Sequence, residues 1–275
     1  MIVVVSDVHL GSDVGRKCRG TGRACDDLDL DPLFQTFVGY IGKEYLHTKE
    51  DRLILLGDIF DFWRKDAAEV LIENQEAVSK LKEIAGRSVI NYVVGNHDYS
   101  IREMWETAGT KNPFSTMDKK LHLELEGTAF TFMHGHQFEI LANPYDKSEK
   151  LYDSISAMMC NTAGVTGSAA SAIWAAIDPD KHGDYMKSMK KSTSERLKGK
   201  HNALDTVEQL AQSKSRSIYT GADGWLVYGH THRCYVDEDS KTANTGSWGR
   251  DGDDCGLDYM IIDEGKPELK LYDMK

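Results

Sequence analysis

In the first part of the chain, apolar runs of strand length alternate with segments in which apolar residues recur at helical spacing. Three apolar runs have the length of buried strands: residues 2–5, 53–56 and 88–94. Between them, segments 32–46 and 67–85 place apolar residues at helical spacing, and Gly86 would end the second helix. Strands that alternate with helices predict a largely parallel sheet covered by helices.

The later part of the chain has the pattern of antiparallel strands. Residues 121–125 and 129–133 predict two strands joined by a turn at Glu126 and Gly127. Four more strands are predicted towards the C-terminus, at 225–228, 233–237, 258–262 and 268–272. The whole pattern predicts an α/β fold in which two mixed β-sheets pack as a sandwich flanked by helices.

A long segment between residues 137 and 228 interrupts the strand pattern. Its apolar spacing predicts helices at 148–160, 169–177, 182–197 and 203–212. We therefore expect a core formed by residues 1–140 and 216–275, with a helical cap insertion at 141–215.

The predicted cap has two features that bear on a substrate. Residues 155–177 are rich in small and apolar residues and include Trp174, which fits either close helix packing or a groove for an apolar tail. Residues 181–200 hold seven Lys or Arg against two acids, Lys190 and Lys191 among them. Such a run fits either a solvated helix face or a contact with an anionic substrate.

Length and charge limit the classes of function. A chain of 275 residues with 40% hydrophobic content can bury a sizeable core. Its net charge of −11 argues against a protein that coats extended nucleic acid, because phosphate backbones are bound through Lys and Arg. Five cysteines without a CxxC spacing predict free thiols in a reducing compartment.

Membrane and export signals are not apparent in the sequence. The N-terminus lacks the basic and apolar regions of a signal peptide, and no stretch reaches the roughly 18 to 20 apolar residues of a membrane span. We expect a soluble, cytoplasmic protein, and a peripheral contact with the inner membrane surface is compatible with this. The oligomeric state stays open.

Polar clusters follow five of the predicted strands. Their sequences are SDVH at 6–9, GDIFD at 57–61, GNHD at 95–98, HGH at 134–136 and GHTH at 229–232. Six of the ten histidines fall in these clusters, so their placement at strand ends is not expected by chance. Open α/β sheets bind ligands at the carboxyl ends of their strands, and these side chains are therefore candidates for one common site.

The residue types indicate a site for two divalent cations. Carboxylates combined with imidazoles suit Mn, Fe, Zn or Ni better than the all-oxygen sites of calcium, and we expect Mn first. Two such ions roughly 3.5 to 4 Å apart can activate a nucleophile and clamp the attacking and leaving oxygens. Asp58 is the candidate for a bridging carboxylate, because Gly57 before it allows a close approach.

In order and in type, the five clusters resemble those of the calcineurin-like metallophosphoesterase superfamily. The resemblance covers most of the chain apart from the predicted cap and the loop at 11–31. It implies that one metal is bound by Asp7, His9 and His232. The other would be bound by Asn96, His134 and His230, with Asp58 between the two.

The resemblance also implies catalytic roles. His97 of GNHD would protonate the leaving oxygen or stabilise charge on the phosphoryl group, as suits an imidazole. Asp98 or Asp61 would orient its ring. His136 is expected beside the ligands, as a second-shell or substrate-binding residue.

GDIFDFW, GNHD and the long helical insert resemble the UDP-2,3-diacylglucosamine hydrolase branch, which cleaves a pyrophosphate in a lipid-linked sugar nucleotide. The principal members of that branch have GNRD, with Arg where this chain has His97. Here the loop at 11–31 is also longer and carries Arg16 and Arg23, so it is either a solvated loop or a phosphate clamp.

Three functions follow as alternatives. The sharpest is a pyrophosphatase that acts on a sugar-nucleotide lipid at the membrane surface, and the second is a generic phosphodiesterase or phosphomonoesterase for nucleotides or phosphoproteins. A scaffold that has lost catalysis is the third, but such proteins usually lack ligands, and all seven are present here.

Overall fold

A computed structural model of the protein describes residues 1–12, 30–108, 112–142, 149–161, 207–221, 223–248 and 256–273. The strands in these ranges are β1 (Ile2–Val5), β2 (Arg52–Leu56), β3 (Val89–Val93), β4 (Thr116–Asp118), β5 (Lys120–Leu125), β6 (Thr128–Met133), β7 (Trp225–Tyr228), β8 (Tyr235–Asp237), β9 (Thr242–Asn244), β10 (Asp258–Asp263) and β11 (Lys266–Leu271). The helices are α1 (Leu30–Glu44), α2 (Ala67–Glu73), α3 (Gln75–Arg87), α4 (Ile101–Ala108), α5 (His136–Ala142) and α6 (Glu149–Asn161).

The strands form two mixed sheets. The first has the order β11-β10-β1-β2-β3-β4, in which β1 to β4 are parallel and β10 and β11 are antiparallel to their neighbours. The second has the order β5-β6-β7-β9-β8, in which β6, β7 and β9 are parallel and the two outer strands are antiparallel.

Alternate residues of β1 show how the sheets pack. Ile2 and Val4 lie in an apolar cluster with Phe130 of the second sheet, whereas Val3 and Val5 pack in the cluster that includes α1 and α3. Successive side chains of a strand point to opposite faces, so one strand serves both layers. Burial of each such side chain contributes roughly 1.5–3 kcal/mol. The predicted sandwich with helices outside is confirmed.

The predicted helix 67–85 is in fact two helices, which meet at Asn74. Its side-chain amide donates to Asp31 Oδ2 at 3.1 Å and to Val70 O at 3.0 Å, and these bonds stabilise the break. The second helix also continues past Gly86 to Arg87, whose guanidinium donates to two carbonyls near the end of α1. Tertiary hydrogen bonds therefore override the local helix signals.

Several short elements were not predicted from the sequence: β4, β9, α4 and α5. Each strand has three residues and each helix seven or eight, which is too short for periodicity to decide. β9 is fully buried and pairs with β7 and β8, so its neighbours hold it in place. The strand predicted at 233–237 begins only at Tyr235.

Part of the predicted cap is described. Helix α6 confirms the helix predicted at 148–160, and residues 207–212 are helical before a 3-10 helix at Lys214–Ile218. The helices predicted at 169–177 and 182–197 lie outside the described residues, and the division into core and cap stays a prediction. Within the described ranges, no helix has the length and apolar character needed to cross a membrane.

The expectation of free thiols is wrong for one cysteine. Cys234 is disulfide-bonded. Cys160 on α6 is free and buried, as expected. Five cysteines without a metal-binding spacing did not reveal this pairing, since a disulfide depends on distances in the folded chain.

Candidate metal centre

The five polar clusters follow the carboxyl ends of β1, β2, β3, β6 and β7. Two contacts between the sheets bring these ends together. His134 Nδ1 lies 3.0 Å from Leu56 O, and the backbone N–H of His230 donates to Asp7 Oδ2 at 2.9 Å. The sandwich thus assembles clusters that are far apart in sequence.

Most of the predicted ligands have a left-handed backbone: Asp7 (φ 52°), His9 (φ 53°), Asp58 (φ 53°), His230 (φ 66°) and His232 (φ 61°). Such conformations cost about 1–3 kcal/mol in residues other than glycine and cluster at functional sites. Backbone bonds between neighbouring loops hold two of them, from His9 N to Asp58 O at 2.9 Å and from Asp7 N to Gly57 O at 3.1 Å. The strain is concentrated where side chains must converge.

Two glycines allow the carboxylates to approach the backbone. A Cβ atom at Gly95 would lie 2.1 Å from Asp58 Oδ1, and a Cβ atom at Gly229 would lie 2.3 Å from Asp7 Oδ2. Any other residue at either position would displace a predicted ligand.

The predicted ligands form two groups. Asp7, His9 and His232 have ligand atoms within 4.8 Å of one another, and so do Asp58, His134 and His230. The groups adjoin, because His134 Nε2 lies 3.1 Å from Asp58 Oδ2 and 3.9 Å from Asp7 Oδ1. Asn96 is buried, and the next backbone N–H, of His97, donates to Asp58 Oδ1 at 2.8 Å.

These groups fit a cation centre. Asp7 Oδ1, Asn96 Oδ1 and His134 Nε2 are buried and make no hydrogen bond within the described part of the chain. Buried polar atoms are nearly always hydrogen-bonded or bound to an ion. The three atoms belong to a carboxylate, an amide and an imidazole, which are all groups that bind divalent cations. Bound cations would therefore satisfy them.

Charge interactions keep the carboxylates ionised. Burial alone would raise the pKa of Asp7, but His134 and His232 outweigh it and lower that pKa to about 2. In the same way, His134 and His97 hold the pKa of Asp58 well below its usual range despite burial. Burial lowers the pKa of His134, yet Asp58 and Asp7 raise it to about 10. Ionised carboxylates are the form that binds cations, whereas His134 must release its proton when a cation binds.

The imidazole of His97 is held on two sides. Its Nδ1 lies 3.0 Å from Asp61 Oδ1, and its ring stacks on Trp63 with centroids 4.1 Å apart and planes 20° apart. Asp61 is fully buried, and its other oxygen accepts from Arg64 Nη1 at 2.9 Å. Asp61 therefore orients His97 and leaves Nε2 as the atom that can face a substrate.

Asp98 has a different position from the one expected beside the His97 ring. Its Oδ1 accepts from Gly95 N at 2.8 Å, and its Oδ2 accepts from Ile59 N at 2.8 Å and from Tyr92 Oη at 2.5 Å. Both oxygens are occupied in bracing the GDIFD and GNHD loops. Among the described residues, the contacts of Asp98 are structural, and a catalytic role for it stays a prediction.

His136 is buried next to the second group. Its ring stacks on Tyr152 of α6, with centroids 5.3 Å apart, and lies 5.6 Å from the ring of His134. Burial and the neighbouring His134 lower its pKa well below the usual value. The other predicted substrate-binding residues lie outside the described residues: Arg16, Arg23, Trp174, Lys190 and Lys191.

Three residues beside the site were not predicted. Trp63 and Arg64 lie two and three positions after GDIFD, so extending that cluster by three positions would have found them. Cys160 of α6 donates its thiol hydrogen to His97 O at 3.3 Å, and nothing in the local sequence indicates this contact. A helix of the predicted cap therefore touches the loop that carries His97.

A sequence model of the family described as calcineurin-like phosphoesterase matches residues 1–234. The chain belongs to the calcineurin-like phosphoesterase family. This calcineurin-like phosphoesterase is thus a hydrolase acting on phosphoester bonds, in a metal-dependent family, and it carries candidate ligand residues. A search of curated protein sequences gives no significant match.

Solved structures resemble the fold of this calcineurin-like phosphoesterase only loosely. The phosphoesterase YfcE of E. coli is 14% identical, over 95% of this chain and 87% of that one, with a TM-score of 0.45. An archaeal phosphodiesterase is 13% identical, over 98% of this chain and 99% of that one, with a TM-score of 0.41. Vps29 of Entamoeba histolytica, complexed with Zn, is 12% identical, over 98% of this chain and 96% of that one, with a TM-score of 0.37. Similarities this loose add nothing to the family assignment.

Proposed function

We propose that this protein is a phosphoesterase that works with two divalent cations, held by the two adjoining groups of predicted ligands. One cation would be bound by Asp7, His9 and His232, and the other by Asn96, His134 and His230, with Asp58 between them. The observation that carries the proposal is the contact between the groups, in which His134 Nε2 lies 3.1 Å from Asp58 Oδ2 and 3.9 Å from Asp7 Oδ1.

Cations bound there would polarise phosphoryl oxygens and generate a nucleophile from water at neutral pH. The chain itself supplies the group for the leaving oxygen. Asp61 accepts from Nδ1 of His97, which leaves Nε2 to donate a proton to that oxygen or a hydrogen bond to the phosphoryl group. Trp63 limits the tilt of the imidazole by stacking on it.

The test combines metal analysis with hydrolysis of bis-p-nitrophenyl phosphate. We expect stoichiometric divalent cation and turnover with added manganese. An Asp58→Ala variant should lose at least about 100-fold, since even outer-shell residues of metal sites are worth about 10–100-fold. Asp118→Asn, which changes an exposed carboxylate paired with Arg102, should keep wild-type activity and metal content. Full activity of Asp58→Ala would refute the proposal.

For the substrate, we propose a small phosphorylated molecule. The specific proposal is hydrolysis of the pyrophosphate bond in a sugar-nucleotide lipid such as UDP-2,3-diacylglucosamine. Support comes from the GDIFDFW motif and from α6, which belongs to the predicted cap and contacts the site through Cys160 and Tyr152. The test is hydrolysis of UDP-2,3-diacylglucosamine by manganese-loaded protein. No turnover across a panel of lipid nucleotides would eliminate this substrate class.

A generic phosphodiesterase or phosphomonoesterase is the second candidate. It is favoured by His97, an imidazole braced by Asp61 where the lipid-specific branch has arginine. Turnover of simple diesters or phosphopeptides far above that of any pyrophosphate would decide for it. Manganese is the first choice of metal, and reconstitution of chelated protein with Mn, Fe, Zn or Ni compares the alternatives.

A further inference from the structure

Arg64 lies in the loop after β2. Among the described residues, only one nitrogen of its guanidinium makes hydrogen bonds. Its Nη1 donates to Asp61 Oδ2 at 2.9 Å and to Ser12 Oγ at 3.0 Å. Asp61 is fully buried, whereas the Arg64 side chain is 45% exposed. The guanidinium is thus fixed by the buried site and open to solvent.

The remaining donors of Arg64 are uncommitted. A guanidinium has five N–H donors in a planar fork. Within the described residues, the Nε and Nη2 groups of Arg64 make no hydrogen bond, and both bonds of this side chain use Nη1. A fork of this kind matches two oxygens of a phosphate group.

The fork also lies beside the candidate metal centre. One carboxylate separates it from His97, because Asp61 Oδ1 is 3.0 Å from His97 Nδ1. The Asp61 oxygen that accepts from Arg64 is also 3.8 Å from Nδ1 of the candidate ligand His9. An anion that reacts at the metal centre would therefore have a preoriented cation one side chain away.

We propose that Arg64 is a substrate-binding residue that holds a second, non-reacting phosphate, and so gives the enzyme a preference for pyrophosphates over single-phosphate diesters. This inference rests on the proposed function. In the reaction, the oxygen of water bonds to the first phosphorus, and the bridging oxygen leaves with the second phosphate and takes a proton. Arg64 would neutralise charge on that departing group.

The experiment compares two substrates that differ by one phosphate: bis-p-nitrophenyl phosphate and di-p-nitrophenyl pyrophosphate. The measured quantity is the ratio of kcat/KM for the pyrophosphate to kcat/KM for the diester. We expect Arg64→Gln to lower this ratio roughly 10- to 100-fold, the usual effect of a lost charged hydrogen bond. Arg64→Lys keeps the charge without the fork and should lower it less. Arg52→Gln is the control, since Arg52 lies at the opposite end of β2 and bonds to Asn91.

A binding measurement provides a second readout. Methylenediphosphonate, which cannot be hydrolysed at its bridge, should bind manganese-loaded Arg64→Gln at least about tenfold more weakly than wild type. Methylphosphonate should show a much smaller difference between the two proteins. This comparison does not depend on turnover.

The outcomes separate this inference from the proposed function. If Arg64→Gln lowers both activities in proportion, Arg64 only positions Asp61 and His97, and the inference is overturned. An unchanged ratio at full activity also overturns it, as does a wild type that hydrolyses the diester but not the pyrophosphate. A metal-loaded wild type that hydrolyses neither substrate refutes the proposed function itself.

Discussion

The indole of Trp63 stacks on the imidazole of His97, with ring centroids 4.1 Å apart and planes 20° apart. Asp61 binds the edge of the same imidazole at Nδ1. Together they restrict the ring about two axes, one by stacking and one by hydrogen bonding. Neither contact involves any of the seven predicted metal ligands.

Replacement of Trp63 should therefore affect turnover more than binding. We expect Trp63→Ala to lower kcat about 10-fold with little change in KM, because a misplaced imidazole loses much of its contribution to proton transfer. Trp63→Phe, which keeps a stacking ring, should recover most of the rate. Steady-state kinetics on bis-p-nitrophenyl phosphate provides the measurement. A loss confined to KM would argue against a positioning role.

Chelation of the metals should lower thermal stability. Cations that bind only the folded chain stabilise it by about 2.7 kcal/mol at 100 times their Kd. For a chain of this size that corresponds to a fall in Tm on the order of 5–10 °C after chelation, reversed by added manganese. Differential scanning fluorimetry with and without chelator measures it. Asp58→Asn should show no such response, and an equal shift in that variant would contradict the prediction.

Asp98 should contribute to the stability of the folded protein. Asp98→Ala would leave three buried donors without an acceptor, those of Ile59 N, Gly95 N and Tyr92 Oη. We expect the free energy of unfolding to fall by about 3–5 kcal/mol. Tyr92→Phe removes only one of these donors and should cost about 1 kcal/mol. Urea denaturation compares the two, and equal losses would show that the backbone bonds contribute little.

Asp258 should make stability depend on pH. Burial raises its pKa from 3.8 to about 7, and its Oδ2 makes no hydrogen bond within the described residues. Because the folded state favours the protonated carboxyl, the wild type loses stability as pH rises from about 4 through 7. Asp258→Asn should therefore match the wild type near pH 4 and exceed it by roughly 4 kcal/mol at pH 8. Denaturation at both pH values tests this, and a constant difference would contradict it.

The strands and their polar ends could be predicted because both signals are local. Ile2–Val5 and the SDVH that follows it are adjacent in sequence, and the fold needs only to bring such ends to one edge. Helix α1 was equally visible from its apolar spacing. The break at Asn74 was not, since it depends on a bond to Asp31, 43 residues away.

The sequence by itself therefore determined which strands end in ligand-type residues, and with them the family and the class of reaction. Only the tertiary structure decided that Asp61 rather than Asp98 holds His97, that Trp63 covers the ring, and that Arg64 keeps donors without a partner among the described residues. The physical reason is that residue type and spacing record what a segment can form. Which of two neighbouring carboxylates meets a given imidazole depends on the direction of each side chain, and that is set by packing between distant segments.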